Sequence, residues 1–145
     1  MGCLIAVIGA EIFLRYYNPF QFRIKGDKIV LPIFFHYNFH LKPSQKLDSI
    51  VNHSKNSLGF RGPEKPKDFS DHLTIIAVGG STTECFLLSD GKTWPAQLGQ
   101  KLNHSFNKLW INNAGLDGHS TFGHTILMRD VIRKIKPKVV LFLVG

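Results

Sequence analysis

Three apolar runs punctuate the second half of the chain, and each of the first two is followed by a loop of small residues. The first, Leu73 to Val78, is rich in β-branched residues and shows no polar alternation after Thr74, the pattern of a strand covered on both faces. Gly79 and Gly80 break that run and lead into Ser81-Thr-Thr83. The second run, Leu109-Trp-Ile111, feeds the small-residue loop Asn112 to Thr121, which holds Gly118. Phe122 to Lys136 reads as a helix and Lys138 to Val144 as a third buried strand. Strand, loop, helix, strand, loop, helix, strand predicts an α/β fold with a parallel sheet and right-handed crossovers. Ser81 is expected just past its strand at the start of the following helix, with its hydroxyl exposed.

The first half lacks this rhythm. Gly2 to Ala10 is apolar, Glu11 interrupts, and Ile12-Phe-Leu14 resumes before Arg15-Tyr-Tyr17. A spanning helix needs about 20 apolar residues, so residues 1–17 read either as the remnant of a membrane anchor, with Arg15, Tyr16 and Tyr17 at the interface, or as a buried helix. Residues 18–72 read as an accessory segment of short strands and loops, punctuated by Pro19, Pro32, Pro43, Pro63 and Pro66. In Phe34 to His40, strand periodicity sets His36, Asn38 and His40 on one face and Phe35, Tyr37 and Phe39 on the other. Two histidines on a face suit a metal, yet no third ligand accompanies them; a strand with one polar face is the expectation. Glu64 to Asp71 reads as a solvated linker into the third unit, 73–145.

The formal charge of +8 raises the question of nucleic acid. Ten Lys and Arg stand against six Asp and Glu up to residue 72, and eight against four after it, so no basic stripe forms. The densest group, Arg129, Arg133, Lys134, Lys136 and Lys138, closes the last helix, where cations favour the helix dipole. A nucleic-acid partner is therefore not expected.

Gly79-Gly-Ser-Thr-Thr83 resembles the first block, Gly-Asp-Ser-x-Thr, of the SGNH hydrolases, the GDSL-like lipases and acylhydrolases. Asn113-Ala-Gly-Leu-Asp-Gly118 resembles their second block, Asn-x-x-x-x-Gly, and Asn56 to Gly62 is similar to a segment that precedes the hydrolase domain in membrane-attached members. The resemblance implies a three-layer α/β sandwich, incomplete here, in which Ser81 is the nucleophile and Gly118 donates its N–H to the oxyanion hole. It implies a membrane-anchored, extracytoplasmic or periplasmic serine esterase acting on an ester of a lipid or an O-acylated glycan, with no cofactor and no metal. Gly145 stands where the glycine of the third block, Gly-x-Asn-Asp, is expected; that block's asparagine and the Asp-x-x-His that supplies the base are not in the sequence. The chain thus reads as the amino-terminal part of an enzyme, itself inactive, with a catalytically silent SGNH-like module that binds envelope glycans or assists their modification as the alternative. The family's aspartate is Gly80 here.

Other chemistry is weaker. Gly91-Lys-Thr93 lacks the leading glycine of a P-loop, since position 86 is Phe86. Cys85, four residues past Ser81, is expected to pack as a small hydrophobe, and Cys3 to be lipid-facing or buried. His119 is the local runner-up as base. His53, His72, His104 and His124 have no partner pattern and are expected in solvent. Asn52-His-Ser54 and Asn103-His-Ser105 are glycosylation sequons where the compartment permits. Gly-Gly-Ser-Thr-Thr also fits a plain helix cap.

Overall fold

The computed structural model describes residues 2–17, 24–25, 27–42 and 46–143. Val144 and Gly145, and with them the expected start of a third motif block, lie outside the described residues. Helix α1, Gly2–Tyr16, has no buried residue, and Arg15 Nε meets Glu11 Oε1 at 2.9 Å one turn away. Fifteen residues rise about 22 Å, and among the described residues no helix is long and apolar enough to cross a membrane.

Two antiparallel ladders follow. Strands β1, Ile24–Lys25, and β2, Lys28–Ile29, form a minimal pair. Strands β3, Phe35–His40, and β4, Ile50–Lys55, pair in full register with Tyr37 opposite His53 and Phe39 opposite Val51. The alternation in β4 is unusual: Val51, His53 and Lys55 are the buried positions. His53 is therefore not a solvent histidine: Phe86 packs over it, with its ring 5.1 Å from both Phe39 and His53, whereas Phe35 and Tyr37 on the same face stay exposed. His36 and His40 stay exposed, and no group of metal-ligating side chains occurs among the described residues.

The α/β unit is built on β5, Leu73–Gly79, which is flanked in parallel by β6, Leu109–Asn113, and β7, Val139–Leu143, in the order β6-β5-β7. Both neighbours cover β5, and Thr74 to Gly79 are all buried, as an uninterrupted apolar run requires. The one hydroxyl in that run is satisfied, since Thr74 Oγ1 accepts from the Lys138 N–H at 2.8 Å. Between β5 and β6 run α2, Ser81–Glu84, and α3, Trp94–Leu102, the latter capped by Thr93 Oγ1 with Pro95 in its first turn. Between β6 and β7 one helical segment runs through α4, Thr121–Leu127, a π-helical turn Met128–Ile132, and α5, Arg133–Ile135. The core joins Ile76, Val78, Trp110, Leu116, Leu127 and Ile132 to Phe60.

Phe60 belongs to the segment Asn56–Gly62, which is woven into this unit. Arg61 and Asn113 exchange both backbone hydrogen bonds, at 2.9 and 2.8 Å, and Asn56 Nδ2 donates to Asn112 Oδ1 at 2.7 Å. The stretch Glu64 to Asp71 is largely exposed, yet Phe69 anchors it with its ring 5.1 Å from that of Trp110.

Candidate functional site

The carboxyl ends of all three parallel strands meet at one cleft. Gly80, Ser81 and Thr82 follow β5, Gly118 to Thr121 follow β6, and Leu143 ends β7; together with His124 they line a cavity of about 470 Å³. The chain leaves β5 toward β6 and then returns past β5 to β7. Such a reversal at the carboxyl edge of a parallel sheet is where α/β folds hold ligands.

Ser81 opens α2 and is exposed, as expected from the sequence. The turn that delivers it depends on close approach at Gly79: a Cβ there would strike Thr83 Oγ1 and lie 2.5 Å from the Leu143 carbonyl oxygen. The second loop is laid along the first. The Ala114 N–H donates to Ala77 O at 2.8 Å and the Leu116 N–H to Gly79 O at 3.1 Å, which carries the strand pairing past the end of β6. A turn closed by the His119 N–H to Leu116 O, 3.1 Å, then presents Gly118 at φ +68. That conformation favours glycine although the space around it is open. Among the described residues neither the Ser81 nor the Gly118 N–H is donated to a protein acceptor. The two expected residues are therefore brought to one cleft, each with a backbone donor to offer.

The rest of α2 faces the opposite environment. Thr83 and Glu84 are buried. Glu84 Oε1 lies 3.1 Å from Lys55 Nζ and 3.8 Å from His53 Nε2, while Oε2 accepts from the Asp117 N–H, directly before Gly118. Arg61, its side chain also buried, caps the end of α2: Nη1 donates to the carbonyls of Glu84 at 2.6 Å and Cys85 at 2.9 Å, and Nη2 to Leu88 at 2.6 Å. Its Nε pairs with Asp90 Oδ1 at 2.8 Å, and Ser54 Oγ donates to Asp90 Oδ2 at 2.6 Å. These donors satisfy carbonyls that a helix end leaves without partners. Burial, reinforced by Arg61 and Lys55 and only partly opposed by Glu84 and Asp90, lowers the His53 pKa from 6.5 to about 4. His53 is thus neutral at neutral pH, and its approach to Glu84 is not an ion pair.

Asn113 joins the two motif loops. Its Nδ2 donates to Thr83 O at 2.6 Å and its Oδ1 accepts from the Gly115 N–H at 2.8 Å, so the asparagine works as a buried clamp. Cys85 is half-buried, sits at φ 52 as the residue that ends α2, and turns its thiol to Thr82 O at 3.1 Å. The four-residue helix has stopped before a shared face with Ser81 can form, and Cys85 does not line the cleft. His119 lines it, as anticipated, and so does His124, which is buried and not in solvent. The α4 face that carries His124 turns inward with Ile126 and Leu127 beside it.

The sequence reading missed Lys55, Arg61, Glu84 and His124. Only one local signal was available: Val51, His53 and Lys55 alternate on a strand, and a lysine on an apolar face requires a carboxylate nearby. Comparison with protein-family models, with curated proteins and with solved structures returned no match. The class of the fold is mixed α/β with a three-stranded parallel sheet and a cleft at its carboxyl edge.

Proposed function

We propose that this chain carries the nucleophile and part of the oxyanion hole of an SGNH-type serine esterase, a three-layer α/β hydrolase held at a membrane by its apolar amino-terminal segment. The observation that carries the reading is the convergence of Ser81 and Gly118, from two separate motif loops, on one cleft with backbone N–H groups that have no protein acceptor among the described residues. In the reaction, a histidine base takes the proton from Ser81 Oγ as the oxygen bonds to the ester carbonyl carbon. The N–H groups of Ser81 and Gly118 receive the developing oxyanion. Collapse of the tetrahedral species breaks the bond to the alcohol, which leaves with the proton from the histidine, and water then releases the acid from Ser81 by the same route. Each oxyanion donor contributes about 3 kcal/mol.

The base expected from an Asp-x-x-His is not in the sequence through Gly145, so turnover of aryl esters by the chain alone should not exceed background. External imidazole takes the place of a missing histidine base. With imidazole added, a fluorophosphonate should label the folded chain, Ser81→Ala should abolish the labelling, and Cys85→Ala should leave it intact. Labelling that survives Ser81→Ala, or that depends on Cys85, rejects the assignment.

A further inference from the structure

Glu84 is 1 % exposed, and its two carboxylate oxygens are divided between a cation and a loop. Oε1 lies 3.1 Å from Lys55 Nζ, and Oε2 accepts from the Asp117 N–H. A carboxylate is buried only when it is paired and hydrogen-bonded, and this one stands where its bonds control geometry. The Glu84 N–H donates to Gly80 O at 3.0 Å. Gly80 O belongs to the peptide unit that carries the Ser81 N–H, and in a planar trans peptide holding one orients the other. The side chain acts on the second loop. Leu116 to His119 form a turn, closed by the His119 N–H to Leu116 O at 3.1 Å, with Gly118 third at φ +68. The central peptide of that turn joins Asp117 to Gly118 and so carries the Gly118 N–H. Turn types I and II differ by a flip of this unit, with positive φ at the third residue in type II. Glu84 Oε2 holds the residue directly before it. The loop also rests on α2 here, since a Cβ at Gly115 would strike the backbone of Thr83 and Glu84.

We infer that Glu84 is a positioning residue: its backbone aligns the Ser81 N–H, and its side chain holds the turn in the form that offers the Gly118 N–H to the same cleft. The ion pair with Lys55 keeps the carboxylate in place, and the bond to Asp117 is what sets the donor. The inference rests on the esterase reading for the use made of the two N–H groups; the geometry that Glu84 imposes stands apart from it.

Two double variants of the full chain separate the acceptor from the charge. Lys55→Met with Glu84→Gln removes both charges and keeps an acceptor for Asp117, whereas Lys55→Met with Glu84→Leu removes both charges and the acceptor. Two readouts are taken at a temperature where melts show each variant folded. One is the rate of fluorophosphonate labelling of Ser81 with imidazole; the other is the set of couplings between the Gly118 amide and α protons, which report its φ. The leucine variant should label about a hundredfold more slowly than the parent chain, the effect of losing one oxyanion donor, and its Gly118 couplings should change. The glutamine variant should label within about threefold of the parent chain, since replacing both members of a buried ion pair is often near neutral, and its Gly118 couplings should stay as they are. If the leucine variant does not fold, Glu84→Asp, which draws the carboxylate back by one methylene, takes its place with the same expectation. Equal labelling in the two variants, or Gly118 couplings unmoved by loss of the acceptor, would overturn the inference. Couplings that move as expected in a chain whose Ser81 is never labelled would remove the esterase reading alone; a labelled Ser81 whose rate ignores the acceptor would remove this inference alone.

Discussion

The two ends of α2, a helix of only four residues, lie in opposite surroundings. Ser81 and Thr82 stand exposed at an open cleft, whereas Thr83 and Glu84 are buried, with Glu84 set among Lys55, His53 and the backbone of Asp117. The contrast shows how so short a helix can hold Ser81 at the cleft. Four residues cannot hold a helical turn by their own hydrogen bonds. Here the far end is fixed by a buried carboxylate, by three carbonyl bonds from Arg61, and by Asn113, while the near end is left free to meet a ligand. The carboxylate also reaches the loop of Gly118, so one side chain braces both halves of the cleft.

The strongest way to break this contrast is to remove the carboxylate. Glu84→Leu removes the carboxylate 3.1 Å from the buried Lys55 Nζ and the acceptor of the Asp117 N–H, and should cost about 3–5 kcal/mol in denaturant unfolding. Glu84→Gln, which keeps an acceptor for Asp117, should cost less and so separates the charge from the hydrogen bond.

Acid should loosen the same end more gradually. The His53 pKa is near 4 in the folded chain and 6.5 as the ordinary value, so the unfolded chain takes up the proton first. Stability should therefore decline as pH falls from about 6.5 toward about 4 and be fully present above that window. His53→Phe should flatten this part of the pH profile in thermal melts, and a profile unchanged by the substitution would show that another group controls it.

At the cleft end the expected effects are smaller and conformational. Gly118→Ala meets no neighbour but must hold a side chain at φ +68, at a cost of about 1–2 kcal/mol. A Cβ at Gly80 would meet only His119 O at 3.7 Å, an ordinary contact. Gly80→Ala should therefore stay within about 0.5 kcal/mol of the parent chain; a larger loss would mean that the strand-to-helix turn is under more constraint than its geometry indicates.

The parts of the molecule that a local pattern controls were legible in the sequence. β5 follows from an apolar run that only a central strand explains, and the helical segment from Thr121 to Ile135 matches the expected Phe122 to Lys136 apart from its ends. The places of Ser81 just past β5 and of Gly118 in the loop after β6 were legible because a run of small residues follows each strand. The bracing network was not, because its partners are far apart along the chain: Arg61 reaches carbonyls up to 27 residues away and Asn113 a carbonyl 30 residues away. Polar residues on a strand or a helix look the same in sequence whether they face water or the interior, and His53 on β4 and His124 on α4 were misplaced for that reason. The edge strand β7 shows a related limit. Its apolar run reads as buried, yet Phe142 is 52 % and Leu143 45 % exposed, because burial depends on a neighbour that the run itself does not specify.

The proposed esterase requires a nucleophile at the exposed end of α2 and none at the buried end. Mass-spectrometric mapping of the fluorophosphonate adduct formed in the presence of imidazole tests it most directly. A single adduct on Ser81 is expected, formed by the folded chain and absent after denaturation, with Thr82, Cys85 and Ser120 unmodified. An adduct on any of those three, or one that forms equally in denatured protein, would contradict it.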